Sequence, residues 1–82
     1  MKFTYRKIIL SNKANLYTLC IDNKIIKNWN IYPTKNNSFN LYTGGAYFVH
    51  KSNITIQTAK KLLAEAYIKI YLLNQILENN NP

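Results

Sequence analysis

The stretch Thr55–Leu77, TIQTAKKLLAEAYIKIYLLNQIL, decides how this 82-residue chain is read. Within it Ala59, Leu62, Leu63, Ala66, Ile70, Leu73 and Leu77 recur at helical spacing and fall within about 100° of one another around a helix axis. Thr55 or Thr58 can cap the start with a side-chain oxygen, and in the first case Ile54 can staple onto Ala59. The spacing predicts an amphipathic helix over 55–78, followed by a frayed tail over 79–82. On the far side of that helix lie Ala64, Ile68, Leu72 and Ile76, a second apolar row spaced by fours where solvent is expected. Scattered exposed aliphatics need no explanation, but a continuous row points to a partner, most simply a second copy of the chain around a two-fold axis. Tyr67 and Tyr71, on a flank, are expected at the rim of that interface, rings covered and hydroxyls wet.

A single helix has to bury its stripe against something, and the preceding fifty residues supply it. Lys2–Leu10 alternates with β-type and aromatic residues, and Ser11-Asn12-Lys13-Ala14-Asn15 is a polar break suited to a hairpin loop. Leu16–Ile21 reads as a second strand, and Asp22-Asn23 can take the positive φ values of a tight turn before Lys24–Tyr32. Pro33 and the polar run Thr34–Ser38 end that third strand. Phe39–His50 is either one bulged strand or two short ones around Gly44-Gly45. The fold expected is therefore α+β: an antiparallel β-meander of three to five strands within 1–51, packed on one long C-terminal helix, in a single domain.

Composition narrows the functions such a domain can have. At 9.6 kDa there is room for one modest core and none for a two-domain enzyme with a deep cleft. One Cys makes no internal disulfide and no thiolate metal site, and nothing points to an oxidising compartment. No run approaches the length and apolarity of a membrane span, and the N-terminus lacks the pattern of a secretion signal. An intracellular location is expected, in the cytoplasm or in the organelle or host cell that encodes the chain. Asn (13), Lys (10), Ile (11) and Tyr (7), all with A/T-rich codons, suggest an AT-rich genome, so the lysines alone carry little meaning. The scarcity of acids carries more. Only Asp22, Glu65 and Glu78 occur, against 11 Lys plus Arg, and from Met1 to Lys51 Asp22 is the single acid. That imbalance attracts polyanions without conferring specificity.

No catalytic set accompanies it. His50 stands without other metal-ligating residues, Cys20 sits mid-strand as a small hydrophobe, and three acids leave no paired carboxylates. Enzymatic activity, a metal and a cofactor are not expected. Thr43-Gly44-Gly45-Ala46 lacks the spacing of a phosphate loop and reads as a turn or bulge. The best functional candidate is the set of basic strands with interleaved aromatics, since single-stranded nucleic acid is held by cations along its backbone and by rings on which bases stack. Alternation is expected to bring some of Tyr5, Tyr17, Trp29, Tyr32, Tyr42 and Tyr47 onto the open face beside Arg6, Lys7, Lys24 and Lys27, with Lys13, Lys35 and Lys51 contributed by loops. Trp29 is favoured for the core, in which case Lys27 has to snorkel. One Arg among ten Lys suits non-specific backbone contact. The expectation is a nucleic-acid-binding or polyanion-binding homodimer. The alternative is an interaction or inhibitory protein, of phage, mobile-element or organelle type, directed at a protein target.

Overall fold

A computed structural model describes residues 1–45 and 47–79. Five strands, β1 (Phe3–Ile9), β2 (Asn15–Ile21), β3 (Lys24–Pro33), β4 (Phe39–Thr43) and β5 (Phe48–Lys51), precede one helix, α1 (Ile56–Asn79). The strands form an antiparallel sheet in the order β1-β2-β3-β4-β5, and α1 packs across one face. This is the α+β meander the sequence implies, with Phe39–His50 resolved into two strands. The expected tail lies, from residue 80 on, outside the described residues.

Asparagine makes most of the turns. Seven non-glycine residues among those described have positive φ, and five of them are Asn23, Asn28, Asn36, Asn37 and Asn53. A short amide side chain tolerates the left-handed region better than other non-glycine residues, which matters in a chain with only two glycines. Asp22 (φ 51°) and Asn23 (φ 68°) form the tight β2–β3 turn. Asn28 (φ 70°) interrupts β3, where its pairing with β2 shifts between Thr18 and Cys20. The interruption changes which residues share a face. Trp29 and Ile31 are buried under the helix, whereas Ile25 pairs with Cys20 on the opposite face and is 49% exposed. Lys27 is exposed within the irregular stretch and does not thread through the core. Strict alternation along β3 is thus overturned, although Trp29 takes its expected place.

Thr55 caps α1, its Oγ1 accepting from the Thr58 N–H at 3.1 Å. The helix starts beside the β3–β4 connection, where the Ile54 N–H donates to the Asn37 carbonyl at 3.0 Å. It then crosses the sheet over a core of Leu19, Trp29, Ile31, Phe39 and Leu41, into which Ala59 and Leu63 insert without residual exposure. Burying each large aliphatic here stabilises the fold by about 1.5–3 kcal/mol. Tyr5 donates its hydroxyl to the Lys60 carbonyl, and the Lys60 ammonium lies over the rings of Tyr5 (5.6 Å) and Tyr17 (5.1 Å). Tyr67 meets Trp29 edge-on at 5.2 Å and Phe3 at 6.2 Å. It therefore belongs to the core margin and not to the rim of an outward-facing row.

Past Tyr71 the sheet ends. A helix of 24 residues is about 36 Å long, and a seven-residue strand such as β2 spans only about 23 Å. The helix passes the β2–β3 turn near Tyr71, which lines a cleft with Ile21, Asp22 and Lys24, and its last turns run beyond the sheet, giving the molecule a long dimension of 49 Å. Ile70, Leu73 and Leu77, the continuation of the stripe expected to lie on the sheet, are 44%, 55% and 58% exposed.

Candidate nucleic-acid interface

The face of the sheet away from α1 is laid out by register. Arg6 pairs with Thr18, Thr18 with Asn30, Asn30 with Tyr42 and Tyr42 with Phe48, so these five side chains form one rank from β1 to β5. At about 4.8 Å per strand the rank is roughly 19 Å long. A second rank joins Tyr32, Asn40 and His50 on β3, β4 and β5. The rings touch across strands: Tyr32 meets Tyr42 edge-on at 4.9 Å, and Tyr42 stacks on Phe48 at 5.3 Å. Phe48 is 52% exposed. Thr18 donates to the Asn30 side-chain oxygen at 3.0 Å, and the Asn40 oxygen lies 2.7 Å from His50 Nδ1. These contacts orient both amides, whose NH₂ groups are donors.

The cations are distributed differently from the rings. Of the strand cations that have a register partner, Arg6 alone shares the open face with Tyr32 and Tyr42. Lys7 pairs with Tyr17 and Lys24 with Ile21, which places both on the helix side, and Lys51 pairs with Phe39 on that side as well. Tyr5 and Tyr17 are likewise under the helix. Tyr47 is 79% exposed in the segment leading into β5.

Along the strands a second pattern appears. Lys13 in the β1–β2 connection and Lys35 in the β3–β4 connection lie at one end of the sheet, the end at which Lys51 finishes β5 and α1 begins. None of the three acids is there. Asp22 is in the β2–β3 turn at the opposite end, where it accepts from the Lys2 N–H at 2.9 Å, and Glu78 is on the overhang. The end where Tyr32 and His50 lie is therefore basic without an acid, and a helix N-terminus adds its partial positive charge, whereas at the hairpin end Lys2 and Lys24 stand beside Asp22.

Of the residues the sequence singled out, the structure gathers Arg6, Tyr32 and Tyr42 on one face and Lys13, Lys35 and Lys51 at its edge. Lys7 and Lys24 lie on the helix side, and Lys27 and Tyr47 are exposed without a register partner. Asn30, Asn40, Phe48 and His50 join the face without having been singled out. Asn30 and Asn40 are placed by the β3–β4 register, and Phe48 and His50 by the β4–β5 register, which depends on the turn around Gly44-Gly45 that the sequence left open. Gly44 has φ +85° and its N–H donates to the Asn28 carbonyl at 2.9 Å, so it closes a bulge against Trp29 and is not available to an anion; Ala46 lies outside the described residues. Among the described residues no cluster of three metal-ligating side chains occurs, and no helix is long and apolar enough to cross a membrane. Compared with protein-family models, curated proteins and solved structures, the chain matches none.

Proposed function

We propose that this protein is a non-enzymatic binding module that holds single-stranded nucleic acid, or a polyanion like it, on the open face and loops of its sheet. The observation that carries the reading is the rank Arg6–Thr18–Asn30–Tyr42–Phe48, lying next to an acid-free end that bears Lys13, Lys35 and Lys51. The rank supplies a cation for phosphate, the Asn30 amide, oriented by buried Thr18, for base edges, and two rings for stacking. Each base–ring stack contributes about 1–3 kcal/mol. With mostly lysine contacts, affinity is expected to depend on charge density more than on sequence.

The test is titration of a fluorescent single-stranded oligonucleotide at several salt concentrations. Affinity should fall with a slope of roughly 0.7 in log K per log salt for each phosphate neutralised. Joint replacement Lys13→Glu and Lys35→Glu should flatten that slope, and Tyr42→Ala with Phe48→Ala should weaken binding at every salt concentration. Binding indifferent to salt, or to both pairs of substitutions, rejects the proposal. A second reading, a module that binds a protein target, draws on the exposed aliphatics of the overhanging helix. It predicts the reverse sensitivity: Ile68→Glu or Leu72→Glu abolishes function and the loop lysines are dispensable.

A further inference from the structure

Beyond Tyr71, which lines a cleft with Met1, Ile21 and Ile26, the second half of α1 is an apolar rod whose large side chains are exposed. Ile68, Ile70, Tyr71, Leu72, Leu73, Ile76 and Leu77 are between 36% and 58% exposed. Spread around the helix, they present on the order of 600 Å² of apolar surface, at the upper end of what a lone monomer leaves in water, of which Ile70, Leu73 and Leu77 hold about half, against about 800 Å² per partner in a standard interface. The stripe has the repeat of a paired helix. Ala59, Leu63, Ala66, Ile70, Leu73 and Leu77 advance alternately by four and three residues, the seam of a two-stranded coiled coil. Only the first half of that seam is covered by the sheet.

Charge selects the occupant. Residues 68–79 contain Lys69 and Glu78 and no other charge, so this segment is neutral in a chain of net charge +8. Like-charged copies repel except where such a segment lets them approach. If two overhangs run antiparallel, the acid-free ends bearing Lys13, Lys35 and Lys51 point to opposite extremes of the pair, and the hairpin ends that approach the partner each carry Asp22 beside Lys2 and Lys24. The same arrangement carries the far end of each helix to the cleft at the other copy's hairpin end. That cleft, of about 340 Å³, is lined by Tyr67 and Tyr71 of the same copy's helix together with Met1, Ile21, Asp22, Lys24 and Ile26.

We infer that the overhang is a homodimer interface, in which the C-terminal halves of two α1 helices pair antiparallel through Ile70, Leu73 and Leu77, with the basic ends of the two copies directed outward. This stands independently of what the sheet binds. Sedimentation equilibrium of the full chain should give about 19 kDa, twice the 9.6 kDa monomer. Leu73→Glu and Ile70→Glu, which alter exposed positions off the sheet, should return the mass to 9.6 kDa with an unchanged circular dichroism spectrum. Orientation is read from cysteine crosslinking, Cys20 being buried. Asn74→Cys, near the two-fold axis, should join two copies through a short bismaleimide, whereas Lys69→Cys should not. A wild-type chain still monomeric at about 100 µM, a hundredfold above a micromolar Kd, overturns the dimer. Crosslinking at Lys69→Cys as efficient as at Asn74→Cys overturns the antiparallel arrangement.

Discussion

Residues 56–67 and 68–79 of α1 carry similar side chains at the same spacing, yet Leu63 is fully buried and Leu73 is 55% exposed. The first half is held by a cap at Thr55, by the Tyr5 hydroxyl on the Lys60 carbonyl and by Tyr67 between Phe3 and Trp29. The second half has within itself the Gln75–Tyr71 hydrogen bond at 2.8 Å, and its large aliphatics face water. Periodicity marks where an apolar stripe runs along a helix. It carries no information on where the supporting sheet stops.

The sharpest way to separate the halves is the same truncation in each. Leu63→Ala should cost about 2–5 kcal/mol in urea unfolding, the range for a fully buried leucine, and that is a large part of the stability of a domain this small. Leu73→Ala should cost the monomer under about 0.5 kcal/mol, as surface changes do; a large loss in dilute, monomeric protein would show that the overhang packs on its own sheet. Next in size is the alkaline response of the packed half. Burial pushes the Tyr5 hydroxyl from 10.0 up to about 12, against an opposing effect of the Ala64 backbone. The fold thus favours neutral Tyr5. The stabilisation is complete below about pH 10 and is lost as pH rises towards 12. Thermal melts across that interval should decline less steeply in Tyr5→Phe than in the wild type. Thr55→Ala should remove about 1 kcal/mol through the lost cap, detectable as a lower urea midpoint with unchanged slope. The smallest effect is expected at the β3 interruption, where Asn28→Gly should be close to neutral, since glycine accepts the φ of 70° freely. A clear loss there would mean that the asparagine side chain, and not backbone freedom, fixes the shift in register.

Much of the architecture was legible in the sequence because it rests on local rules. The Asp22-Asn23 turn, the strand end at Pro33, a threonine cap at residue 55 or 58 and the burial of Trp29 each follow from a residue's own chemistry. The parts that were not legible depend on register or length. One left-handed residue at Asn28 sends Ile25 to the face opposite Trp29, which no alternating pattern along Lys24–Tyr32 can foresee. The rank from Arg6 to Phe48 needs four consecutive pairings to be correct at once. Lys7, Lys24 and Lys51 look interchangeable with Arg6 in sequence, but parity places them on the other side of the sheet. The gathering of Lys13, Lys35 and Lys51 at one end follows only once the strand order is known, because the loops that carry two of them are twenty-odd residues apart in the chain.

The uninterrupted order β1-β2-β3-β4-β5 has a kinetic consequence. Every strand pairs with its neighbours in sequence, so the sheet can assemble hairpin by hairpin, each step closing a short loop on a timescale of about 1–10 µs. Such local wiring favours rapid folding for a β-rich chain. The helix is made last, however, and on a ribosome adding about 5–20 residues per second the sheet waits seconds for its cover. During that interval Leu19, Trp29, Ile31 and Leu41 face solvent on a nascent sheet with both edge strands open. The side that ends as the core is, while the chain is still being synthesised, the surface most in need of a chaperone.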